Sequence, residues 1–300
     1  MRVFDFLVLI KDSAIAWFDD SASSLAASIA FYTAFSIAPL LVIIISVAGV
    51  VWGQDAVQGE ILRQIGGLVG ADAAKGIQTL IESADEPAQG IAATLISLGV
   101  LLVGATSVFG ELQYALDRVW KVPASQQQAG VWAFIRMRLL SFGLVLGLAF
   151  LLLVSLALSA FLGALGQVTA GWFSGSEFLL QLLNTLVSVM IATILFGMIY
   201  KFMTKVKLQW QDVALGAFVT AVLFEIGKVL IGLYVGKSAS ISSIAAAGSL
   251  VVFLIWVYYA AMIFLLGAEF TWLYANRFGS RKEQERQGQG AQSAAAPARG

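Results

Sequence analysis

Within the apolar run Ala-Val-Leu-Phe-Glu-Ile-Gly-Lys-Val-Leu-Ile-Gly-Leu-Tyr, residues 221–234, two ionisable residues stand three positions apart: Glu225 and Lys228. That spacing places both on one face of a helix. If the run crosses a membrane, a rise of about 1.5 Å per residue puts Lys228 ~12 Å and Glu225 ~17 Å from the outer end near Gly236, deep in hydrocarbon. An ionisable group at such depth costs about 2.5 to 3.5 kcal/mol, so it should face a bundle interior or an aqueous cavity. Two chemistries follow. The pair can neutralise itself and tie the bundle together, or Lys228 can hold an anionic group of a substrate, the default reading for an ionisable residue inside a membrane. Gly232, one turn beyond Lys228, permits close approach of another helix or a ligand.

Other polar residues belong to the same candidate binding set. Pro39 interrupts an apolar run and deprives the carbonyl near Phe35 of its usual partner, a loss that Ser36 or Thr33 can compensate. Gln181, Asn184, Thr185 and Ser188 share a helix face, where interhelical hydrogen bonding explains them as well as binding does. The candidate substrate-binding residues are therefore Lys228, Glu225, Gly232, Asn184, Ser36 and Pro39. Glu111 and Glu269 lie near span ends, and ion pairing with Arg118, Arg136 or Arg138 is expected there. The chain has no Cys and no His, which removes thiolate nucleophiles, imidazole bases and the usual zinc and haem ligands. No catalytic residue, metal or cofactor is expected, and the protein is not read as an enzyme.

The elements that must position these residues are membrane helices. Of 300 residues, 59% are hydrophobic and 12% charged, against about 25% charged in a soluble domain. Six runs reach the ~20 apolar residues that a span needs: Leu25 to Trp52, Gly90 to Glu111, Phe134 to Leu165, Phe178 to Phe202, Val213 to Val235 and Ala245 to Tyr274. Fourteen of eighteen basic residues fall before the first span, between spans two and three, between four and five, and after six. By the positive-inside rule both termini are cytoplasmic. The N-terminal apolar run closes at Lys11 and Asp12 without a small-residue cleavage site, so it reads as retained.

The fold class is thus all-α: a polytopic membrane protein with six transmembrane helices. Residues 1–24 read as a cytoplasmic interfacial helix with an apolar stripe of Val3, Leu7, Ile10, Ala14, Trp17 and Phe18. Residues 25–276 form the transmembrane domain. It includes an external amphipathic hairpin, residues 54–89, broken at Gly70, with Asp72 as a cap and Ile61, Ile65, Ile77 and Leu80 facing the bilayer or bundle. Residues 277–300 lack apolar periodicity and read as a disordered tail.

Four separated blocks carry a resemblance: SLAASIAFYTAFSIAPLL in the first span, ELQYALDRVWKV after the second, IGKVLIGLYVGKS in the fifth and AAGSLVVFLIWVYYAAMIFLLGAEFT in the sixth. Together, over residues 10 to 276, they resemble the YihY/BrkB membrane protein family. That resemblance implies a bacterial inner-membrane protein of six helices. The family's positions at Gly227-Lys228 and Gly267-Ala268-Glu269 match here, whereas Ile244-Ala245 stands where many members have Tyr-Gly. Members have carried the name ribonuclease BN, but this chain has no basic groove or metal motif with which to meet RNA phosphates, and its net charge is zero.

The expected function is a membrane transporter or lipid-handling protein. It would pass an anionic or amphipathic solute, such as a phosphate-bearing lipid headgroup or its fragment, through an intramembrane cavity. The alternative is a noncatalytic envelope scaffold that recruits partners through its external hairpin. Expected partners are membrane lipids and an anionic small molecule or headgroup; nucleic acid is not one.

Overall fold

The computed structural model describes residues 3–69, 71–84, 91–123, 176–206, 208–238 and 245–282, with isolated positions in between. The expected third span, residues 134–165, and the chain beyond 282 lie outside the described residues. Among those described there are eight helices and no strands: α1 (Val3–Asp19), α2 (Ala22–Trp52), α3 (Gln54–Val69), α4 (Ala71–Ala84), α5 (Ile91–Val119), α6 (Ser176–Phe202), α7 (Trp210–Ser238) and α8 (Ala245–Arg277). In lipid every backbone polar group needs a partner within the segment, which is why the apolar runs become helices. Four described segments are long and apolar enough to cross a membrane: Ala22–Trp52, Leu182–Phe202, Trp210–Leu230 and Phe253–Lys282.

The organising element is α8, which packs against α1, α2, α4, α5 and α7. Lipid tails are as apolar as Leu, so helix association here depends on small residues and hydrogen bonds. The α7–α8 interface shows both. A Cβ on Gly216 would fall 1.8 Å from Oγ1 of Thr271, and one on Gly267 would fall 1.9 Å from Oγ1 of Thr220. Both threonines are buried and donate to carbonyls in their own helices, Thr271 to Gly267 at 2.7 Å and Thr220 to Gly216 at 2.8 Å. Three aromatic donors then reach α8 carbonyls from other elements: Trp17 to Met262 at 3.2 Å, Tyr200 to Phe264 at 2.7 Å and Trp120 to Ala268 at 3.0 Å.

Pro39 does not end α2, which is helical on both sides of it. Its ring rests on α5, where a Cβ on Gly104 would come within 3.0 Å of Cγ. At the end of α2, Gly53 takes φ 86 and turns the chain into α3, its N–H still donating to Gly49 at 2.9 Å. A side chain there would be strained. The helices α3 and α4 fold back on each other and on α2, and α4 also meets α8. Val57, Ile61, Ile77 and Ile81 are buried, while Ile65 is partly so; the side chain of Leu80 lies outside the described residues. Asp72 stands inside the first turn of α4 rather than capping it, because the helix begins at Ala71.

The two ends of the described chain add to the sequence reading. The face of α1 that meets the bundle is Leu9, Ser13 and Trp17, one turn apart each, while Leu7, Ile10 and Phe18 of the expected stripe point outward, the side that an interfacial helix would offer to lipid. At the other end, α8 continues to Arg277, and order extends past it. The N–H and hydroxyl of Ser280 donate to Asp212 of α7 at 3.1 and 2.6 Å, and Arg281 stacks 4.3 Å over Trp272.

Candidate functional site

Helix α7 carries Glu225 and Lys228 near its middle, and the two form an ion pair with Nζ 2.6 Å from Oε2. Ser188 of α6 completes a triangle, accepting from Lys228 at 3.3 Å and donating to Glu225 at 3.2 Å. One hydroxyl thus bridges both charges from a neighbouring helix. Each charged side chain keeps 24% of its surface exposed, so the pair is half-buried rather than sealed. The expected spacing argument holds in its geometry, because i, i+3 does bring the groups together. Ser188 entered the sequence reading only as one of four residues on a face; a contact 40 residues away leaves no periodic signal.

Beside the pair lies a small, half-open cleft lined by Phe224, Gly227 and Lys228 of α7 and by Trp256, Tyr259, Ala260 and Ile263 of α8. The surface that it presents is apolar, although Lys228 is among the residues that line it. What permits α7 and α8 to close over it is Gly227, where a Cβ would meet Ile263 at 2.6 Å and Tyr259 at 2.8 Å. Gly232 was expected in that role; it lies in α7, but its surroundings fall outside the described residues.

The remaining candidates do not converge on the pair. Asn184 is exposed on α6 one turn before Ser188, with no described hydrogen bond to either charge. Ser36 and Pro39 sit on α2 and do not line the cleft. Ser36 is buried with its hydroxyl unpartnered among the described residues, and Thr33 donates to Ile29 at 2.7 Å. Neither hydroxyl therefore compensates for the proline as expected.

The two other intramembrane carboxyls meet no arginine among the described residues. Glu111 accepts from Ser28 at 2.5 Å and joins no ion pair among the described residues. Glu269 is fully buried, and neither of its oxygens meets a described donor. Arg136 and Arg138 lie outside the described residues, and Arg118 is exposed. Past the end of the expected second span, Asp117 pairs instead with Lys205 at 2.8 Å. Its carboxyl is held above the usual carboxylate range because burial outweighs the relief from Lys205. No cluster of three metal-ligating side chains occurs among the described residues.

Comparison with known proteins adds a lineage to this geometry. The profile of the family described as "Virulence factor BrkB" matches residues 16–292. A UPF0761 membrane protein of Azotobacter vinelandii is 30% identical over 271 residues, covering 88% of this chain and 61% of the relative. Another, from Ralstonia nicotianae, is 28% identical over 259 residues, covering 83% and 55%. The chain thus spans a little over half the length of these relatives. No solved structure matches.

Proposed function

We propose, for a chain that belongs to the virulence factor BrkB family of membrane proteins, that it moves an amphipathic anion, in the first place a lipid with an anionic headgroup, past the α6–α7–α8 face of the bundle. The carrying observation is the Ser188–Glu225–Lys228 triangle, half-exposed at mid-helix on the rim of a cleft. A purely structural tie has no need of charge, since a buried ion pair replaced by well-packed apolar residues is often neutral or stabilising. An ammonium beside an opening is suited to a phosphate or carboxylate. In this reading the headgroup displaces Glu225 from Lys228, and Glu225 keeps the Ser188 hydroxyl.

The cleft is far too small to enclose a drug-sized solute, for which sites measure about 300 to 1,000 Å³. In this reading only the charged tip of a headgroup meets Lys228 while the tails stay in the bilayer, against exposed Ile226, Val229 and Leu230. We place the protein in the bacterial inner membrane with both termini cytoplasmic, and we read it as noncatalytic. The same small cleft favours a second reading, a scaffold in which the triangle only ties α6 to α7.

Lys228→Met and the double variant Glu225→Gln/Lys228→Met separate the two. In liposomes with labelled anionic lipid, the transport reading expects both variants to be inserted and inactive. Full activity in the double variant rules out Lys228 as the headgroup site and leaves the scaffold.

A further inference from the structure

The corner between α1 and α2 meets α8 through carboxyl groups that no donor satisfies. Glu269 of α8 is fully buried with both oxygens unpartnered among the described residues, and Oδ2 of Asp20, at the corner, is likewise buried and without a donor. The Asp20 carboxyl stands within hydrogen-bonding range of Glu269. Ionised carboxylates only accept hydrogen bonds, so a contact between two of them needs a hydrogen that neither supplies when charged. Asp20 is fixed in place by its neighbours: Ser21 takes a left-handed φ of 55°, and Trp17, one turn earlier, is bonded to the Met262 carbonyl of α8.

The charges around this contact do not relieve it. Asp19 faces Glu269 from the same corner and adds negative potential, and Lys121, from the turn after α5, adds positive potential. Lys121 is exposed. Three other carboxyls at this end of the bundle have partners of their own: Asp212 of α7 holds Ser280, Asp117 of α5 holds Lys205, and Asp12 of α1 holds Arg277 at 2.5 Å.

We propose that Asp20 and Glu269 form a proton-binding site, in which one proton held between the two carboxyls latches the α1–α2 corner onto α8. The proton comes from water. One O–H···O bond forms, and the pair keeps a single negative charge, which faces Lys121. Loss of the proton leaves two like charges in contact in a site poor in water, and the corner is driven away from α8. A metal ion fits less well, because no third ligating side chain joins the two among the described residues. The site makes no use of the Lys228 cleft and stands whether or not a lipid moves there.

Infrared spectroscopy of the full chain in liposomes tests this. At neutral pH the wild type is expected to show the carbonyl stretch of a protonated carboxylic acid, shifted in deuterated water and lost as the pH is raised. Glu269→Gln should abolish the band, because the acid that shares the proton is gone and an amide donor faces Asp20 in its place. Asp20→Asn should move the band to higher frequency, as an acid that has lost its strong acceptor. Absence of any acid band from the wild type at neutral pH overturns the proposal without recourse to a variant. A band that survives Glu269→Gln, or is the same in Asp20→Asn as in the wild type, overturns it equally.

Discussion

At the scale of single residues, the absence of a side chain is as consequential as a charge. Gly227 allows Tyr259 and Ile263 to approach α7 within contact distance of its backbone. Gly227→Ala should therefore destabilise the bundle by about 1 to 3 kcal/mol, the usual cost of overpacking. Gly59 of α3 is exposed with nothing within 4 Å of an added Cβ. Gly59→Ala should instead stabilise by about 0.5 to 1 kcal/mol through helix propensity alone. Thermal melts of both variants in detergent check the contrast, and equal shifts would mean that the α7–α8 contact is looser than described. Asp117 makes a prediction about pH. Its carboxyl titrates above the ordinary range because of burial, so the folded chain binds more protons than the unfolded one in that interval, and stability falls as pH rises through it. Asp117→Asn should flatten that part of the stability curve, read as thermal midpoint against pH; an unchanged slope would assign the dependence to other groups.

Elements were legible where apolar length or spacing fixes them and illegible where a contact joins distant positions. The ends of α2, α6, α7 and α8 fall close to the runs read from sequence, because a span must be long and apolar whatever it packs against, whereas α5 continues to Val119, well past the expected Glu111. The Glu225–Lys228 contact was readable because it is local. Ser188, Asp20 and Asp117 act through partners 40, 249 and 88 positions away, and no periodicity encodes such meetings. The hairpin of α3 and α4 offers an element-scale test that the lack of native cysteine makes clean. Single cysteines replacing Ile61 and Ile77, both buried, should react slowly with a water-soluble maleimide, while those replacing Lys75 and Gln78, both exposed, should react fast. Uniform fast labelling would show that the hairpin does not cover the bundle.

For the whole molecule, the charge distribution makes a claim about sidedness. With fourteen of eighteen basic residues in alternate segments, tags at the N- and C-termini should both report from the cytoplasm, and a tag in residues 54–89 from outside. A C-terminus labelled from outside would require an odd number of spans.

The hub position of α8 has a consequence for biosynthesis. It is made after the seven other described helices, yet the indoles of Trp17 and Trp120 and the hydroxyl of Tyr200 find their acceptors on its backbone. Until α8 arrives, an α1–α7 intermediate holds three donors without those acceptors, and each unsatisfied polar group in hydrocarbon costs several kcal/mol. The described bundle therefore closes only once α8 has been made. A chain stopped before residue 245 should still insert its earlier spans and yet be cleared rapidly by membrane proteases, which pulse-chase in cells would read as a shortened half-life. Supplying α8 as a separate polypeptide should restore that half-life, as the arriving keystone of an arch lets the scaffolding come down.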